Sequence, residues 1–196
     1  LSTHGHGEPR AGFPGSCGMP AGGGRDPQQM NDRANWREAR SDDLPAMVGI
    51  AEAVHPDHPE RPAVFAERLA LYPRGLLVFA NGKPTGYAIS HPWMLDRPPQ
   101  LDTLLGGLPA HSDTYYVHDI ALLPEARGKG AGRRIMETLV GHAAAEGFAT
   151  VSLVSVIGEA YWGALGFRDA SGQLPAGKLD SYGVGARYMI RMVGAG

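Results

Sequence analysis

The sequence has one cysteine among its 196 residues, Cys17, which excludes an intramolecular disulfide and fits a reducing cytoplasm. It also lacks an excess of charge of either sign, because the formal net charge at pH 7 is only −2. Binding to nucleic acid or to an anionic membrane surface is therefore not expected. No run of apolar residues approaches the roughly 20 that a membrane-spanning helix needs. These features predict a cytoplasmic protein without nucleic-acid or membrane partners.

The first thirty residues have almost no bulky apolar side chains and are rich in glycine and proline. A segment of this composition buries too little surface to offset its ordering entropy, so residues 1–32 are predicted to be a disordered leader. His4, His6 and Cys17 lie in this leader, but their spacing matches no compact metal site, and no metal is expected. Residues 33–196 are long enough to form a single domain with a buried core.

Hydrophobic periodicity predicts one mixed sheet with helices on its faces. The predicted elements are, in order, a strand at 36–40, two helices, a hairpin of strands at 76–80 and 85–90, a strand at 115–123, a helix at 130–146, a strand at 150–156, a short helix at 159–165, and strands at 167–169 and 187–193. Ser41 is the predicted N-cap of the first helix, and Asn81-Gly82 is typical of a hairpin turn. The last strand alternates in polarity, which predicts that one of its faces is covered.

Residues 121–134, ALLPEARGKGAGRR, place a glycine-rich turn between an apolar strand and a predicted helix. The first turn of a helix leaves its N–H groups unpaired and carries partial positive charge. Glycines leave those N–H groups open to a ligand, and Arg127 and Lys129 add positive charge. The stretch therefore predicts an anion site suited to a pyrophosphate.

Two well-known pyrophosphate motifs fit this stretch poorly. A dinucleotide-binding motif has the order G-x-G-x-x-G directly after a strand, whereas the glycines here run G-x-G-x-G, and residues 124–127 separate them from the strand. A Walker loop needs Gly-Lys-Ser/Thr, and Lys129 is followed by Gly130. An NAD(P)-binding oxidoreductase therefore has only the glycines in its favour.

The stretch resembles the signature of the GNAT superfamily of N-acetyltransferases, Arg/Gln-x-x-Gly-x-Gly/Ala after a strand that ends in Val-x-Pro. The matching residues here are Ile120-Ala121-Leu122-Leu123-Pro124 and Arg127-Gly128-Lys129-Gly130-Ala131-Gly132. A second family landmark, Leu165-Gly166-Phe167, follows a short helix at the right distance. The element order agrees over residues 35–193, and residues 115–167 carry the specific motifs. The resemblance implies an α/β (α+β) fold, with a mostly antiparallel central sheet of about six to seven strands and helices on both faces.

The same resemblance implies a site for coenzyme A, with acetyl-CoA as the co-substrate. The pyrophosphate would lie against six residues of the turn, namely Arg127, Gly128, Lys129, Gly130, Ala131 and Gly132. The pantetheine arm would pair with the backbone of Ile120, Ala121 and Leu122, as an added strand pairs with a free edge. The acetyl thioester would then point between this strand and the strand at 150–156.

Catalytic groups are implied just before the pantetheine-binding residues, at His118 and Asp119. An alkyl amine has a pKa near 10, so a base assists its acylation. Strand alternation places His118 on one face and Asp119 and Ala121 on the other, unless a bulge shifts the parity. We favour His118 as the base, because imidazole accepts protons near neutrality and arylalkylamine acetyltransferases have a histidine there. Asp119 remains a candidate, because diamine acetyltransferases carry an acidic pair at this place.

The resemblance departs from the family pattern at the acid that protonates the leaving thiolate. Many family members have a tyrosine four residues before the Gly-Phe landmark, and Trp162 occupies that place here. Its neighbour Tyr161 is the candidate acid, although one residue turns about 100° around a helix. Trp162 is instead expected to shape the thioester or acceptor pocket.

The resemblance therefore predicts direct transfer of the acetyl group of acetyl-CoA to a primary amine of a small molecule or a peptide. Recognition of that acceptor is assigned to the long loop at 91–113, the first two helices and the C-terminal segment near Tyr182. The large side chains of the loop are His91, Trp93, Met94, Leu95, Leu104 and Leu105. The same side chains could instead belong to the core or cover a partner in a homodimer. An alternative function is a non-catalytic acyl-CoA-binding module, which the displaced tyrosine favours.

Overall fold

The computed structural model describes residues 34–194. The predicted leader at 1–32, with His4, His6 and Cys17, lies outside the described residues. The helices and strands are β1 (Asn35–Glu38), α1 (Leu44–Val54), α2 (Pro62–Leu71), β2 (Leu76–Asn81), β3 (Lys83–Trp93), β4 (Thr114–Leu122), α3 (Ala131–Ala145), β5 (Thr150–Ser155), α4 (Glu159–Gly163), β6 (Arg168–Asp169) and β7 (Arg187–Met192). Within residues 34–194, no helix has the length and apolar character that crossing a membrane requires.

The strands form one seven-stranded sheet in the order β1-β2-β3-β4-β5-β7-β6. The β4–β5 pair is parallel, and the other five neighbouring pairs are antiparallel. The α3 helix supplies the crossover between β4 and β5, as a parallel connection requires. The predicted fold class, a mostly antiparallel mixed sheet of about six to seven strands, is confirmed.

Helices cover both faces of this sheet. The α3 face is built from Ile135, Met136 and Leu139 of the helix with Leu77, Tyr115, Val117, Val151, Leu153 and Met189 of the strands. The α1–α2 face is built from Met47, Ile50 and Phe65 of the helices with Leu76, Val78, Tyr87, Ile89 and Ala121 of the strands. Successive strand residues alternate between the two cores, because side chains along a strand point to opposite faces. The sheet is therefore buried on both faces, so a ligand-binding site is expected at the ends of its strands.

The start of α1 differs from the prediction. Ser41 does not cap the helix but lies in a short 3-10 turn, Ser41–Asp43, that precedes Leu44. The buried carboxylate of Asp43 accepts the backbone N–H of Arg40 at 2.8 Å and both Nη atoms of Arg37 at 2.7 and 2.8 Å. Asp43 therefore occupies the N-cap position of α1 without a side-chain cap bond to the helix, and its carboxylate instead binds the preceding turn to β1.

Two strand predictions also need correction. β3 continues to Trp93, which pairs with Thr114, so the long loop covers residues 94–113 rather than 91–113. β7 is covered on both faces, since Tyr188 and Ile190 join one core while Met189 packs into the α3-side core. The prediction from alternating polarity failed at Met189. This side chain packs with Leu165 and Phe167, which follow α4, so the second face of β7 is also covered.

Candidate active site

The strands β4 and β5 separate halfway along their length. Their pairing ends at Val117 and Leu153, although β4 continues to Leu122. A cavity of about 80 Å³ lies where they diverge. Its wall includes Ile120 of β4, Val154 and Ser155 of β5, and Trp162 of α4. The opening matches the place predicted for a thioester, and we call it the slot.

The glycine-rich turn beyond β4 forms a second cavity of about 310 Å³, which we call the cradle. Gly130 is the N-cap of α3 at φ +74°, and Gly128 has φ +73°, a conformation that other residues adopt at a cost. A Cβ at Gly128 would meet no atom within 4 Å, and one at Gly130 would meet only Arg134 Nη1, at 3.5 Å. The space in front of the helix N-terminus is therefore open to a ligand, and these residues fit a pyrophosphate.

The predicted pyrophosphate residues divide between two cavities. The cradle is lined by Arg127, Gly128, Gly130, Ala131 and Gly132, together with Leu122. Lys129 lines a separate cavity of about 680 Å³ on the other side of the helix N-terminus. Arg127 Nε donates to Leu122 O at 2.8 Å, which fixes the turn against the end of β4.

β4 contains a bulge at His118. Ile89 of β3 pairs with Asp119 and the next residue, Ser90, pairs with Val117, so His118 is the extra residue. This is the exception that the sequence analysis allowed, because the bulge shifts the parity of the strand and His118 and Asp119 are not separated. Both side chains lie on the α1–α2 face, where each meets a partner from the segment between those helices.

His118 is paired with Glu60. Its Nε2 lies 3.0 Å from each carboxylate oxygen of Glu60, and Glu60 also accepts the backbone N–H of Asp102 at 3.0 Å. The side chains of His118 and Glu60 are 0% and 6% exposed. Burial has the largest single effect and would raise the pKa of Glu60, but the contact with His118, the backbone N–H of Asp102 and the charge of Arg68 together hold that pKa below its ordinary value. Glu60 is therefore an ionised carboxylate buried against an imidazole.

Asp119 is paired with His55, the residue that ends α1. Nε2 of His55 lies 3.1 Å from Asp119 Oδ1, a close contact that is not aligned as a hydrogen bond. The second oxygen, Oδ2, accepts the hydroxyl of Tyr87. Burial, followed by the charge of Asp119, raises the pKa of Tyr87 well above its ordinary value, so the phenol stays protonated and keeps donating. This second pair is more open to solvent, because the His55 and Asp119 side chains are 23% and 22% exposed.

A third cavity of about 60 Å³ lies beside the slot, and we call it the acceptor cavity. Its wall is formed by His55, His58, Glu60, Leu101, His118, Asp119, Val154, Val156 and Tyr182. Leu101, rather than the six residues predicted from the long loop, supplies that loop's side of the wall. The loop is tied to the start of α2, since Arg61 donates to Asp102 through its backbone N–H, Nε and Nη2, each at 2.8 Å.

The two aromatic residues of α4 lie at different cavities. Trp162 is buried, donates from Nε1 to Ser155 Oγ at 2.6 Å and lines the slot, where it was expected to shape a pocket. Tyr161 is half-exposed and lines the cradle, and its hydroxyl lies 2.7 Å from where a Cβ of Gly132 would stand. The structure therefore places the candidate acid beside the pyrophosphate turn, while Trp162 lies nearer to His118.

Sequence reasoning missed His55, Glu60 and Tyr87. The first two lie in HPDHPERP, residues 55–62, which has two histidines, two acidic residues and three prolines within eight positions. Polar and titratable residues held by prolines between two helices are a signal for a binding loop, and this signal could have been used. Tyr87 left no signal, because a tyrosine in a buried strand is usual in a core.

Comparison with known proteins gives the following relationships. A family model described as the acetyltransferase (GNAT) family matches residues 34–167. No curated protein matches the chain in sequence. The loading GNATL domain of CurA from Lyngbya majuscula has a TM-score of 0.66 at 14% identity, over 83% of this chain and 98% of that one.

Two further solved structures have the same fold. The GphF GNAT-like decarboxylase in complex with isobutyryl-CoA has a TM-score of 0.65 at 18% identity, over 81% of this chain and 99% of that one. The ribosomal-protein-S18-alanine N-acetyltransferase from Escherichia coli has a TM-score of 0.55 at 21% identity, over 82% of this chain and 94% of that one. At such identities the likeness shows a shared fold, and the chemistry has to be argued from the site.

Proposed function

The chain belongs to the GNAT family of acetyltransferases, and from this premise we propose that it transfers the acetyl group of acetyl-CoA to a primary amine of a small molecule or a peptide. The observation that carries the proposal is the order of three cavities along β4. The cradle adjoins Leu122, the slot adjoins Ile120, and the acceptor cavity shares His118 and Asp119 with the slot. This order fits a diphosphate, a thioester and an amine in sequence.

Coenzyme A would be bound mainly by backbone groups. The first turn of α3 presents the N–H groups of residues 131–133, which have no intrahelical partner, to the pyrophosphate. Arg127 and Arg133 line the same cavity and add positive charge. The pantetheine arm would run along Ile120–Leu122, where β4 has left β5. Two structural relatives are described as complexes with isobutyryl-CoA and with CoA, which supports a coenzyme A derivative here.

The transfer step forms one bond and breaks one. The amine nitrogen attacks the thioester carbonyl carbon, the C–N bond forms, and the C–S bond breaks as coenzyme A leaves as a thiolate. The amine proton passes to an imidazole of the two histidine–carboxylate pairs that lie where the slot meets the acceptor cavity. A thiol with a pKa around 8.5 leaves without an acid, and the thiolate is then protonated by solvent.

A second candidate is a module that binds an acyl-CoA without catalysis. The observation in its favour is the position of Tyr161, which lines the cradle rather than the slot. Trp162, which occupies the slot, cannot replace a tyrosine as an acid, because an indole N–H only donates a hydrogen bond. Such a module would bind coenzyme A in the same site but would not bind or acetylate an amine.

Two measurements on the full chain test the proposal. Acetyl-CoA should raise the melting temperature, and NAD(P)H should not. Release of coenzyme A thiol should then depend on an added amine across a panel of small amines, aminoglycosides, amino acids and peptide N-termini. A melting-temperature shift without amine-dependent thiol release would favour the binding module. No shift with acetyl-CoA would overturn both.

A further inference from the structure

We propose that His55, at the C-terminal end of α1, is the group that accepts the proton of the acceptor amine, with Asp119 as its positioning residue. The inference rests on the proposed acetyl transfer and assigns a residue to it. His55 lies outside the glycine-rich turn and β4, which carry the family motifs. It is identified by where it stands in the site.

His55 lines both the slot and the acceptor cavity. The residues common to the two walls are His55, His118, Asp119, Val154 and Val156. Valine side chains carry no titratable group, so the groups that could take a proton between thioester and amine are two imidazoles and one carboxylate. The choice among them depends on which has an accessible lone pair.

His118 does not present an accessible lone pair to the cavity. The whole residue is 6% exposed while its side chain is 0% exposed, so the exposed part belongs to the backbone. One ring nitrogen, Nε2, faces both oxygens of Glu60, and the other, Nδ1, is buried without a partner among the described residues. His118 therefore holds Glu60 and the α1–α2 segment in place, and neither nitrogen meets the cavity.

His55 has the opposite exposure. Its side chain is 23% exposed, but Nε2 is buried against Asp119. The exposed part of the ring therefore excludes Nε2. In the neutral ring that carries its proton on Nε2, the nitrogen 3.1 Å from Asp119 Oδ1, the lone pair lies on Nδ1, and the Tyr87 hydroxyl holds the carboxylate from its other oxygen. The negative charge of Asp119 beside Nε2 favours this tautomer, which is the one that a base at Nδ1 needs.

The charges around His55 come from four elements. They are Asp119 and His118 of β4, Arg127 of the glycine-rich turn, His58 and Glu60 of the segment between α1 and α2, and Tyr182 of the C-terminal segment. The contact with Asp119 has the largest effect and raises the pKa of His55, the backbone of Ile120 raises it further, and burial and the Arg127 charge lower it. An imidazole with a raised pKa binds the amine proton more tightly than a free one.

In the step so assigned, the amine nitrogen forms its bond to the carbonyl carbon and loses one proton to Nδ1 of His55. The C–S electron pair leaves with coenzyme A, and the imidazolium is stabilised by Asp119 until solvent removes the proton. No oxidant or other reactant is needed.

The first test uses diethyl pyrocarbonate, which acylates accessible, unprotonated imidazoles, and mass spectrometry of peptides to locate the modified histidine. His55 should react at least about tenfold faster than His118, and acetyl-CoA should slow its reaction. Asp119→Asn should move the pH midpoint of the His55 reaction downward, because the carboxylate that raises its pKa is gone. Faster reaction of His118, or an unmoved midpoint in Asp119→Asn, would overturn the inference.

The second test uses the amine from the panel that gives the fastest thiol release. His55→Gln should lower kcat by about 10²–10⁴-fold with the KM for acetyl-CoA unchanged. His142→Gln, on α3 and outside the walls of the cradle, the slot and the acceptor cavity, is the matched control and should leave kcat as it is. Retention of kcat in His55→Gln would remove His55 from catalysis while leaving the proposed function intact. Absence of amine-dependent thiol release from the wild type would instead overturn the proposed function.

Discussion

His118 and Asp119 are consecutive residues of β4, yet both side chains lie on the same face of the sheet. The bulge at His118 makes this possible, since alternation would send them to opposite faces. Each side chain then meets a partner of opposite type in the α1–α2 segment, Glu60 for the histidine and His55 for the aspartate. One irregularity in one strand therefore assembles two histidine–carboxylate pairs at the mouth of the slot.

Replacing Glu60 by glutamine tests the buried pair. The folded-state pKa of Glu60 lies below its ordinary value of 4.5, so its stabilisation is present above that value and is lost as the pH falls through the folded pKa. Glu60→Gln should lower the free energy of unfolding by about 1–3 kcal/mol at pH 7, because His118 loses a charged partner inside the protein. Urea denaturation at pH 7 and at pH 4 measures the difference, which should shrink at the lower pH.

Glu52→Gln, at an exposed position of α1, is the control for removal of one negative charge. Its free energy of unfolding should stay within about 0.5 kcal/mol of the wild type at both pH values. Equal losses in Glu60→Gln at pH 7 and pH 4 would show that shape, rather than charge, explains the contribution of Glu60.

Gly130→Val tests the cradle. A side chain at this N-cap would enter the open space before α3 without meeting the protein closely, since the nearest atom to a Cβ is Arg134 Nη1 at 3.5 Å. The melting-temperature shift that acetyl-CoA causes in the wild type should disappear, because the side chain would occupy the place of a phosphate. Isothermal titration with coenzyme A would measure the same loss as affinity.

The cost of positive φ has to be separated from this effect. Gly82 in the β2–β3 hairpin has φ +76°, against +74° for Gly130, and also has nothing within 4 Å of a Cβ. Gly82→Val should therefore lose a similar amount of stability, about 1–2 kcal/mol, while keeping its shift with acetyl-CoA. An acetyl-CoA shift retained in Gly130→Val would show that the pyrophosphate is bound elsewhere.

Tyr161→Phe distinguishes coenzyme contact from acid catalysis. Tyr161 lines the cradle, so loss of its hydroxyl should raise the KM for acetyl-CoA a few-fold and leave kcat within about twofold. Steady-state kinetics over a pH series would show an unchanged basic limb. A tenfold fall in kcat with loss of that limb would instead restore Tyr161 as the acid that protonates the thiolate.

The sheet and the cradle could be predicted from the sequence because their signals are local. Apolar runs in β2 and β3 on either side of Asn81-Gly82, and glycines between a strand and a helix, depend on neighbouring residues and on backbone conformation. Gly128 and Gly130 have positive φ, which glycine adopts far more readily than other residues, so the turn is visible in the sequence as a pattern of glycines.

The histidine–carboxylate pairs could not be predicted in the same way. Glu60 is 58 residues from His118 in the chain, and the bulge that turns Asp119 toward His55 leaves no mark in the local pattern of apolar residues. The prediction of Ser41 as the N-cap failed for a related reason. Asp43 occupies that position, and its carboxylate is held by Arg37 of β1. Local rules failed where a tertiary partner decided the geometry.

His91, at the end of β3, gives a prediction about stability and pH. The residue is buried beside His118, its Nδ1 lies 3.1 Å from Pro92 O, and its Nε2 has no partner among the described residues. Burial lowers the pKa of His91 to about 3. The unfolded chain, with an ordinary value of 6.5, therefore binds a proton that the folded protein does not between about pH 6.5 and pH 3. The lowered pKa of His91 costs the folded protein no stability above pH 6.5, and the free energy of unfolding falls as the pH decreases from about 6.5 to 3.

His91→Leu should remove this loss. Between pH 7 and pH 5 the wild type should lose about 2 kcal/mol more free energy of unfolding than the variant, from about 1.4 kcal/mol per pH unit below 6.5. Guanidinium denaturation across that range measures both slopes, and His111→Gln, at an exposed position, should follow the wild type. Parallel slopes in His91→Leu and the wild type would mean that His91 binds its proton with the same pKa in the folded protein as in the unfolded chain.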